Sequence, residues 1–297
     1  MRIFVTGATG WVGSAVTRDL IAHGHRVLGL TRSEAGADQL RALGAEPHAG
    51  SLEDLPSLAA GAAVCDGVVH TAFNHDFSKF AQNSEDERQA IMAIGAALKG
   101  SGRPLIATSG VALLAPGRAA TEADSPPPVS PIYPRASEAT AMAQVEAGVR
   151  AQVVRLPPSV HGAGDHGFVP RLIDFARAAG AAAYVGDGAN RWSAVHRDDA
   201  AKVYRLALEK GAAGDRWHAV AEEGVPMADI AAVIGRRLGL PVVSRTPEEA
   251  PAHFDWFTLF ASMDAPASSA HTRAALDWTP TGPGLLADID TDAYLAG

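Results

Sequence analysis

The sequence predicts an α/β protein, a doubly wound parallel sheet with a small interleaved C-terminal lobe. Three observations carry this. Short apolar strands alternate with amphipathic helices through the first 160 residues, the opening strand runs into a glycine-rich turn and a helix, and the pieces beyond residue 160 become short and mixed. Strands separated by helices pair through right-handed crossovers, which put helices on both faces of a parallel sheet.

Element by element, Ile3-Phe4-Val5 is the first strand. Val12, Val16 and Leu20 recur four apart on the helix that follows, and Gly24 suits its C-cap. The second strand covers 26–30 and ends at Thr31-Arg32-Ser33. Residues 38–43 read as helix, 46–48 as the third strand, 54–61 as helix and 67–71 as the fourth strand. A long helix spans 84–99 with Ile91, Ile94 and Leu98 on one face, and 104–108 is the fifth strand. Pro126-Pro-Pro128 makes 116–134 a loop that covers something or links layers. Helix resumes over 136–148, and 152–156 is the sixth strand. The segment 157–167 interrupts the pattern. Beyond it, 168–179, 198–210, 227–238 and 268–275 read as helices, and 183–185 and 216–219 as short strands. The division expected is a core over 1–160 and a lobe over 161–297, with 190–212 returning to the core.

Bulk properties exclude several classes. Lys+Arg is 25 against Asp+Glu 33, a net charge of -8, with no basic block, so nucleic acid is not an expected partner. Cys65, the single cysteine, cannot form an intramolecular disulfide and reads as an inert core thiol, which fits a reducing, cytoplasmic location. No apolar run reaches membrane-spanning length, and the first strand begins too early to leave room for a signal peptide. No pair of His, Cys or carboxylates has metal-ligand spacing on one element, so no metal is expected.

The stretch Thr6-Gly-Ala-Thr-Gly-Trp-Val-Gly13 points to a dinucleotide on a Rossmann-type core. Gly7 permits the sharp turn, Gly10 lets a pyrophosphate approach the main chain, and Gly13 lets the helix pack close to the strand. The free N–H groups at the first helical turn, with the positive end of the dipole, face the phosphates. About 20 residues on, a carboxylate would select the ribose of NAD and an arginine the 2′-phosphate of NADP. There is no carboxylate at that place and Arg32 follows Thr31 directly, so NADP(H) is preferred and NAD(H) stays possible.

Together with Gly50-Ser-Leu52, Val69-His-Thr-Ala72, Ala107-Thr-Ser109, Tyr133, Arg155-Leu-Pro-Pro-Ser-Val-His-Gly162 and Val195-His-Arg-Asp-Asp199, these residues resemble the extended short-chain dehydrogenase/reductase family, the NAD-dependent epimerase/dehydratases, over nearly the whole chain. The resemblance implies a substrate-binding role for the lobe. It places Thr9, Trp11 and Val12 with the three glycines on the cofactor, Ser51 and Leu52 beside the adenine, and Thr71, Ala72 and Phe73 along the pyrophosphate and nicotinamide ribose. Pro157, Ser159 and Val160 would border the nicotinamide. Ser51 stands where the family carries an acid, which alters one adenine contact.

The family's catalytic set is a Ser or Thr, a Tyr and a Lys four residues after the Tyr. The phenol donates a proton to a carbonyl oxygen and the ammonium lowers the phenol's pKa. Tyr133 fits the tyrosine, but Ser137 stands in the lysine's place. The family serine falls on Gly110, and Ser109 serves only with a one-residue shift. Arg135 is a replacement cation by proximity, although two residues on it would not share a helical face with Tyr133. His75 is the alternative proton donor, at the carboxyl end of the fourth strand. Asn74, His161, His166, Phe168 and Trp192 are candidate substrate contacts, with lobe packing as the competing account of the aromatics. Asp198 or Asp199 is expected to cap the helix over 198–210, and 255–260 is an aromatic cluster that closes the pocket or forms an oligomer contact.

The leading expectation is an NADP(H)-dependent oxidoreductase acting on a carbonyl or alcohol of a small organic molecule. A sugar-nucleotide epimerase or dehydratase is the alternative, with Arg171 and Arg191 the obvious cations for a substrate diphosphate. A non-catalytic NADP(H) sensor or partner-binding protein is the third. A monomer, or a homodimer through the helices over 84–99 and 136–148, is expected.

Overall fold

The structure, a computed structural model, describes residues 1–131 and 133–294. The elements of the first half are β1 (Arg2–Thr6), α1 (Trp11–Ala22), β2 (Arg26–Thr31), α2 (Glu34–Ala42), β3 (Glu46–Ala49), α3 (Leu55–Ala63), β4 (Gly67–His70), α4 (Phe80–Leu98), β5 (Pro104–Gly110), α5 (Ser137–Ala143) and β6 (Arg150–Leu156). Then come β7 (Ser159–His161), α6 (Phe168–Ala179), β8 (Ala182–Val185), β9 (Arg191–His196), α7 (Arg197–Lys210), β10 (Arg216–His218), β11 (Glu222–Pro226), α8 (Met227–Leu238) and β12 (Val242–Arg245). Short helices at Ala250–Phe254, Thr258–Ser262, Ala270–Leu276 and Leu285–Ile289 complete the lobe.

Seven strands form one parallel sheet in the order β10-β6-β5-β4-β1-β2-β3. The order reverses between β1 and β4, which opens a crevice at their carboxyl ends. Alternate residues of each strand feed opposite faces. Ile3, Val5 and Ile106 pack with Val16, Leu40 and Tyr204 from α1, α2 and α7. Phe4, Leu105 and Ala107 pack with Leu58, Ile91 and Ala141 from α3, α4 and α5. The sheet is therefore doubly wound, as the alternation implies. A second core under α6 and α8 belongs to the lobe, whose strands form a three-stranded sheet (β11-β9-β7) and a pair (β12-β8).

Several boundaries shift for local reasons. α2 starts at Glu34 because the Ser33 hydroxyl accepts from Gly36 N, and α4 starts at Phe80, four residues before the expected 84. Helix over 136–148 is corrected: α5 ends at Ala143, after which isolated turns lead to Gly148, at φ +76°, a conformation suited to glycine. The cap expectation is also corrected. His196 caps α7 through its ring nitrogen, which accepts from Asp198 N, while buried Asp199 accepts from Thr281 N and Gly282 N and so fastens a later segment. The lobe strands β7, β9, β11 and β12 lacked a periodic signature because they are three to six residues long. Cys65 is buried, and that burial pushes its thiol up to about 11, consistent with an inert core thiol.

A fully buried guanidinium joins the layers. Arg155 on β6 donates two hydrogen bonds to Glu138 on α5 (2.9 and 2.6 Å) and one to the Asp124 carbonyl (2.6 Å). It also meets His218 Nε2 at 3.1 Å. Because His218 Nδ1 lies 2.7 Å from the Ser268 carbonyl, the proton sits on Nδ1 and Nε2 accepts from Arg155. Glu138→Ala would leave that guanidinium without its carboxylate. It is expected to destabilise the fold by about 3–5 kcal/mol, read as a lower urea midpoint, whereas Arg88→Ala in an exposed pair should leave the midpoint in place.

Candidate functional site

The crevice is built from the turn after β1. Gly7 sits at φ +68°, and a Cβ there would lie 2.8 Å from Ala72 N. A Cβ on Gly13 would lie 2.0 Å from Gly7 O and 2.7 Å from Thr71 Oγ1, so α1 can approach β1 and the β4 end only without a side chain. A Cβ on Gly10, by contrast, would meet Gly7 O at 3.1 Å and otherwise open space. α1 begins there with no side-chain cap and no acid in its first turn, leaving its first N–H groups for an anion. These features fit a dinucleotide pyrophosphate. Thr71 Oγ1 donates to Thr6 O (2.8 Å), which holds the loop carrying Thr71, Ala72 and Phe73 along the crevice.

The indole of Trp11 donates to the Val160 carbonyl (2.7 Å), lies under the Arg197 guanidinium at 3.9 Å and meets the His166 ring edge-on at 5.5 Å. Trp11 thus ties the phosphate turn to the turn after β6, where Val160 is half-buried and Pro157 and Ser159 are buried. At the other end, Thr31, Arg32, Ser33 and Arg41 line a recess of about 330 Å³ outside β2 and β3. Arg41 is shared with Glu34 and Asp38, while Arg32 is exposed. The Ser51 hydroxyl, foremost, then the Glu53 backbone N–H and last the Arg32 charge hold the Glu53 carboxyl below its usual range. The adenine end thus has an acid two residues after Ser51, a neighbour that the sequence comparison at 51 did not disclose.

Tyr133 lies in the proline-rich loop rather than on a helix, with Ser130 N donating to Tyr133 O (2.9 Å). α5 begins only at Ser137, so the helical-face objection to Arg135 does not apply. The Arg135 guanidinium stacks 4.5 Å over the Phe73 ring and pairs with Glu87 on α4 at 3.0 and 3.2 Å. Burial raises the Tyr133 phenol above its ordinary value, and the Arg135 charge pulls it back. The same charge adds to burial in lowering His70, whose pKa is pushed down to about 4, and to the surrounding protein in lowering His75. His75 is exposed with its ring edge-on to Phe73 (5.2 Å). Arg135 is therefore the charge on which the candidate acid–base groups converge.

Residues 3–220 match the model of the NAD dependent epimerase/dehydratase family. The chain belongs to that family. It is 51% identical over 295 residues to an uncharacterized protein of Schizosaccharomyces pombe, spanning 99% of this chain and 100% of that one. It is 33% identical over 227 residues to a 4-hydroxy-2-methyl-3-oxo-4-farnesyl-3,4-dihydroquinoline-1-oxide ketoreductase of Stigmatella aurantiaca, spanning 72% of this chain and 66% of that one. The fold superposes on a dTDP-glucose 4,6-dehydratase of Streptomyces venezuelae solved with NAD bound, at TM-score 0.78 and 20% identity over 98% of this chain and 95% of that one, a likeness of fold. Oxidoreductase or epimerase/dehydratase chemistry on an NAD(P)-binding fold is the coarse function that follows.

Within this epimerase/dehydratase frame, several candidates are corrected. His161 is fully buried and bonds Asp288 (2.8 Å), and Trp192 is fully buried with its indole donating to Phe260 O, so neither side chain faces a substrate. Phe168 packs on Phe260 at 4.6 Å within the lobe cluster, in which Phe257 is core and Trp256 half-exposed. Asn74 is exposed, and its side-chain oxygen accepts from Asp76 N. Ser109 is buried on the α4/α5 face of β5, the face of Leu105 and Ala107, and among the described residues no hydrogen bond joins it to Tyr133. Glu87 went unnoticed in the sequence, yet it shares the apolar stripe of Ile91, Ile94 and Leu98, and an acid on such a stripe signals a buried partner. Among the described residues, no helix is long and apolar enough to cross a membrane.

Gly13→Ala is expected to abolish dinucleotide binding in a titration and to lower the thermal midpoint, since overpacking costs about 1–3 kcal/mol. His70 supplies a pH dependence. It is neutral when folded and takes up a proton below about 6.5 when unfolded, so its stability contribution is complete above that pH and is lost as pH falls toward about 4. Thermal midpoints measured across that window should fall, and less so for His70→Gln.

Proposed function

We propose that this protein is an NADP(H)-dependent oxidoreductase that interconverts a carbonyl and an alcohol on a small organic molecule. The observation that carries the reading is the buried Arg135–Glu87 pair against Phe73, which puts a permanent cation near Tyr133 although Ser137 occupies the family's lysine position. A nicotinamide, when bound, supplies or accepts the hydride at the carbonyl carbon. Gly7, Gly10, Gly13 and the first turn of α1 hold the pyrophosphate, and Arg32 offers a guanidinium for a ribose 2′-phosphate. Tyr133 keeps its proton at neutral pH and gives it to the carbonyl oxygen in reduction. Arg135 stabilises the phenolate left behind until solvent reprotonates it, and Glu87 keeps the guanidinium in place. The Stigmatella ketoreductase supports carbonyl reduction as the chemistry.

The sugar-nucleotide alternative draws less support. Arg191 is held by Asp264 (3.1 and 3.0 Å), which leaves only Arg171 of the two, exposed on α6 in a loose 3.5 Å pair with Asp174, for a substrate diphosphate.

Tyr133→Phe is expected to lower kcat toward carbonyl substrates by roughly 10²–10³-fold with NADPH affinity unchanged. The double variant Arg135→Gln/Glu87→Gln, which leaves no buried charge unpaired, should also lower kcat and move the basic limb of the pH profile upward. Arg32→Ala should weaken NADPH by roughly 10- to 100-fold and NADH little, measured by fluorescence titration. Cofactor binding with no carbonyl turnover across a ketone and aldehyde panel would overturn the oxidoreductase reading in favour of a sensor. Turnover that survives Tyr133→Phe but not His75→Ala would transfer the proton to His75.

A further inference from the structure

The loop after β5 and the lobe helix Thr258–Ser262 enclose a half-open groove of about 320 Å³. Val111, Leu113 and Pro116 form its core side, and Leu259, Met263 and Pro266 its lobe side. Its floor lies at the carboxyl ends of β5 and β6: Val111 follows the last residue of β5 and donates to the Leu156 carbonyl (3.0 Å), immediately before the Pro157 turn. Leu113 stands at φ +66°, a left-handed conformation that is strained for a leucine, and its side chain remains 45% exposed. Leu259 opposite is 69% exposed. Part of the wall's backbone is already paired, since Ala120 N donates to Pro266 O and Ala265 N to Arg191 O, and the Ser262 hydroxyl is the polar side chain that lines it beside Asp264. Asp264, at the rim, is neutralised by Arg191.

We propose that this groove binds the hydrocarbon substituent of the carbonyl substrate, making the protein selective for ketones that carry an aliphatic chain. The inference rests on the oxidoreductase reading for the reacting end, and on the groove alone for the chain. A mainly apolar trough whose one acid is paired gains from burying methylenes and offers no cation to a sugar phosphate. The strained Leu113 and exposed Leu259 are then the two lips that close on the chain.

The test is a homologous series of straight-chain methyl ketones, from methyl ethyl to methyl decyl ketone, titrated calorimetrically into the whole protein with and without NADP⁺ and then assayed for turnover with NADPH. Kd and KM should each fall by up to about fourfold per added methylene until the groove is full. Leu259→Asp and Leu113→Asp should flatten that slope. Both sites are exposed, and aspartate tolerates the left-handed backbone at 113, so these variants fold. A Kd independent of chain length, or a slope that both variants retain, overturns the proposal. A slope that both variants abolish in a protein that reduces no ketone leaves the groove standing and sinks the oxidoreductase reading. Ketone reduction with a flat slope does the reverse. If Leu259→Asp instead converts a dimer to a monomer in sedimentation without touching the slope, the groove is a subunit contact and the proposal fails.

Discussion

Two buried guanidinium–carboxylate pairs govern how the proline-rich loop meets the sheet. Arginine cannot shed its proton, so Arg155, with none of its side chain exposed, must be surrounded by acceptors. Glu138 and the Asp124 carbonyl supply them from either end of the segment that carries Tyr133. Arg135 in turn binds Glu87 on α4. A stretch without secondary structure of its own is thereby fastened to β6, to α5 and to α4.

The same pairs connect stability with chemistry. Arg216 shares Glu138 with Arg155, and His218 completes the cluster from β10, so the last strand of the sheet and the proline-rich loop are held by one set of charges. Arg135 serves two ends at once: its partner Glu87 secures it inside the protein, and its field acts on Tyr133, His70 and His75. A lysine on the first turn of α5 would have reached the phenol from a helix, whereas here the cation comes from the loop itself. The family's set is altered in sequence, and the Arg135 charge only partly offsets the burial that raises the Tyr133 phenol.

The lobe follows a different logic. Its aromatics, Trp192, Phe254 and Phe257, are consumed in its own core, because short strands and five-residue helices bury little surface apiece and need large rings to fill the space. The lobe residues that line the groove beside the β5 loop are mainly aliphatic, and Arg191 next to them is neutralised by Asp264.

Periodicity and turn chemistry determined much of this protein from sequence alone. Strand and helix alternation, the three glycines with their distinct duties, and the absence of a lysine after Tyr133 are all local, and local patterns survive without knowledge of contacts. The dinucleotide cradle was legible for the same reason, since one turn and the first turn of one helix build it. Only the tertiary structure decided which charges meet. Glu87 lies 48 residues from Arg135, and Asp288 lies 127 from His161. Such pairings arise because burying a charge demands a partner wherever in the chain one can be found, a condition that acts through space and leaves at most a faint mark, such as an acid on an apolar helical stripe, in the order of residues.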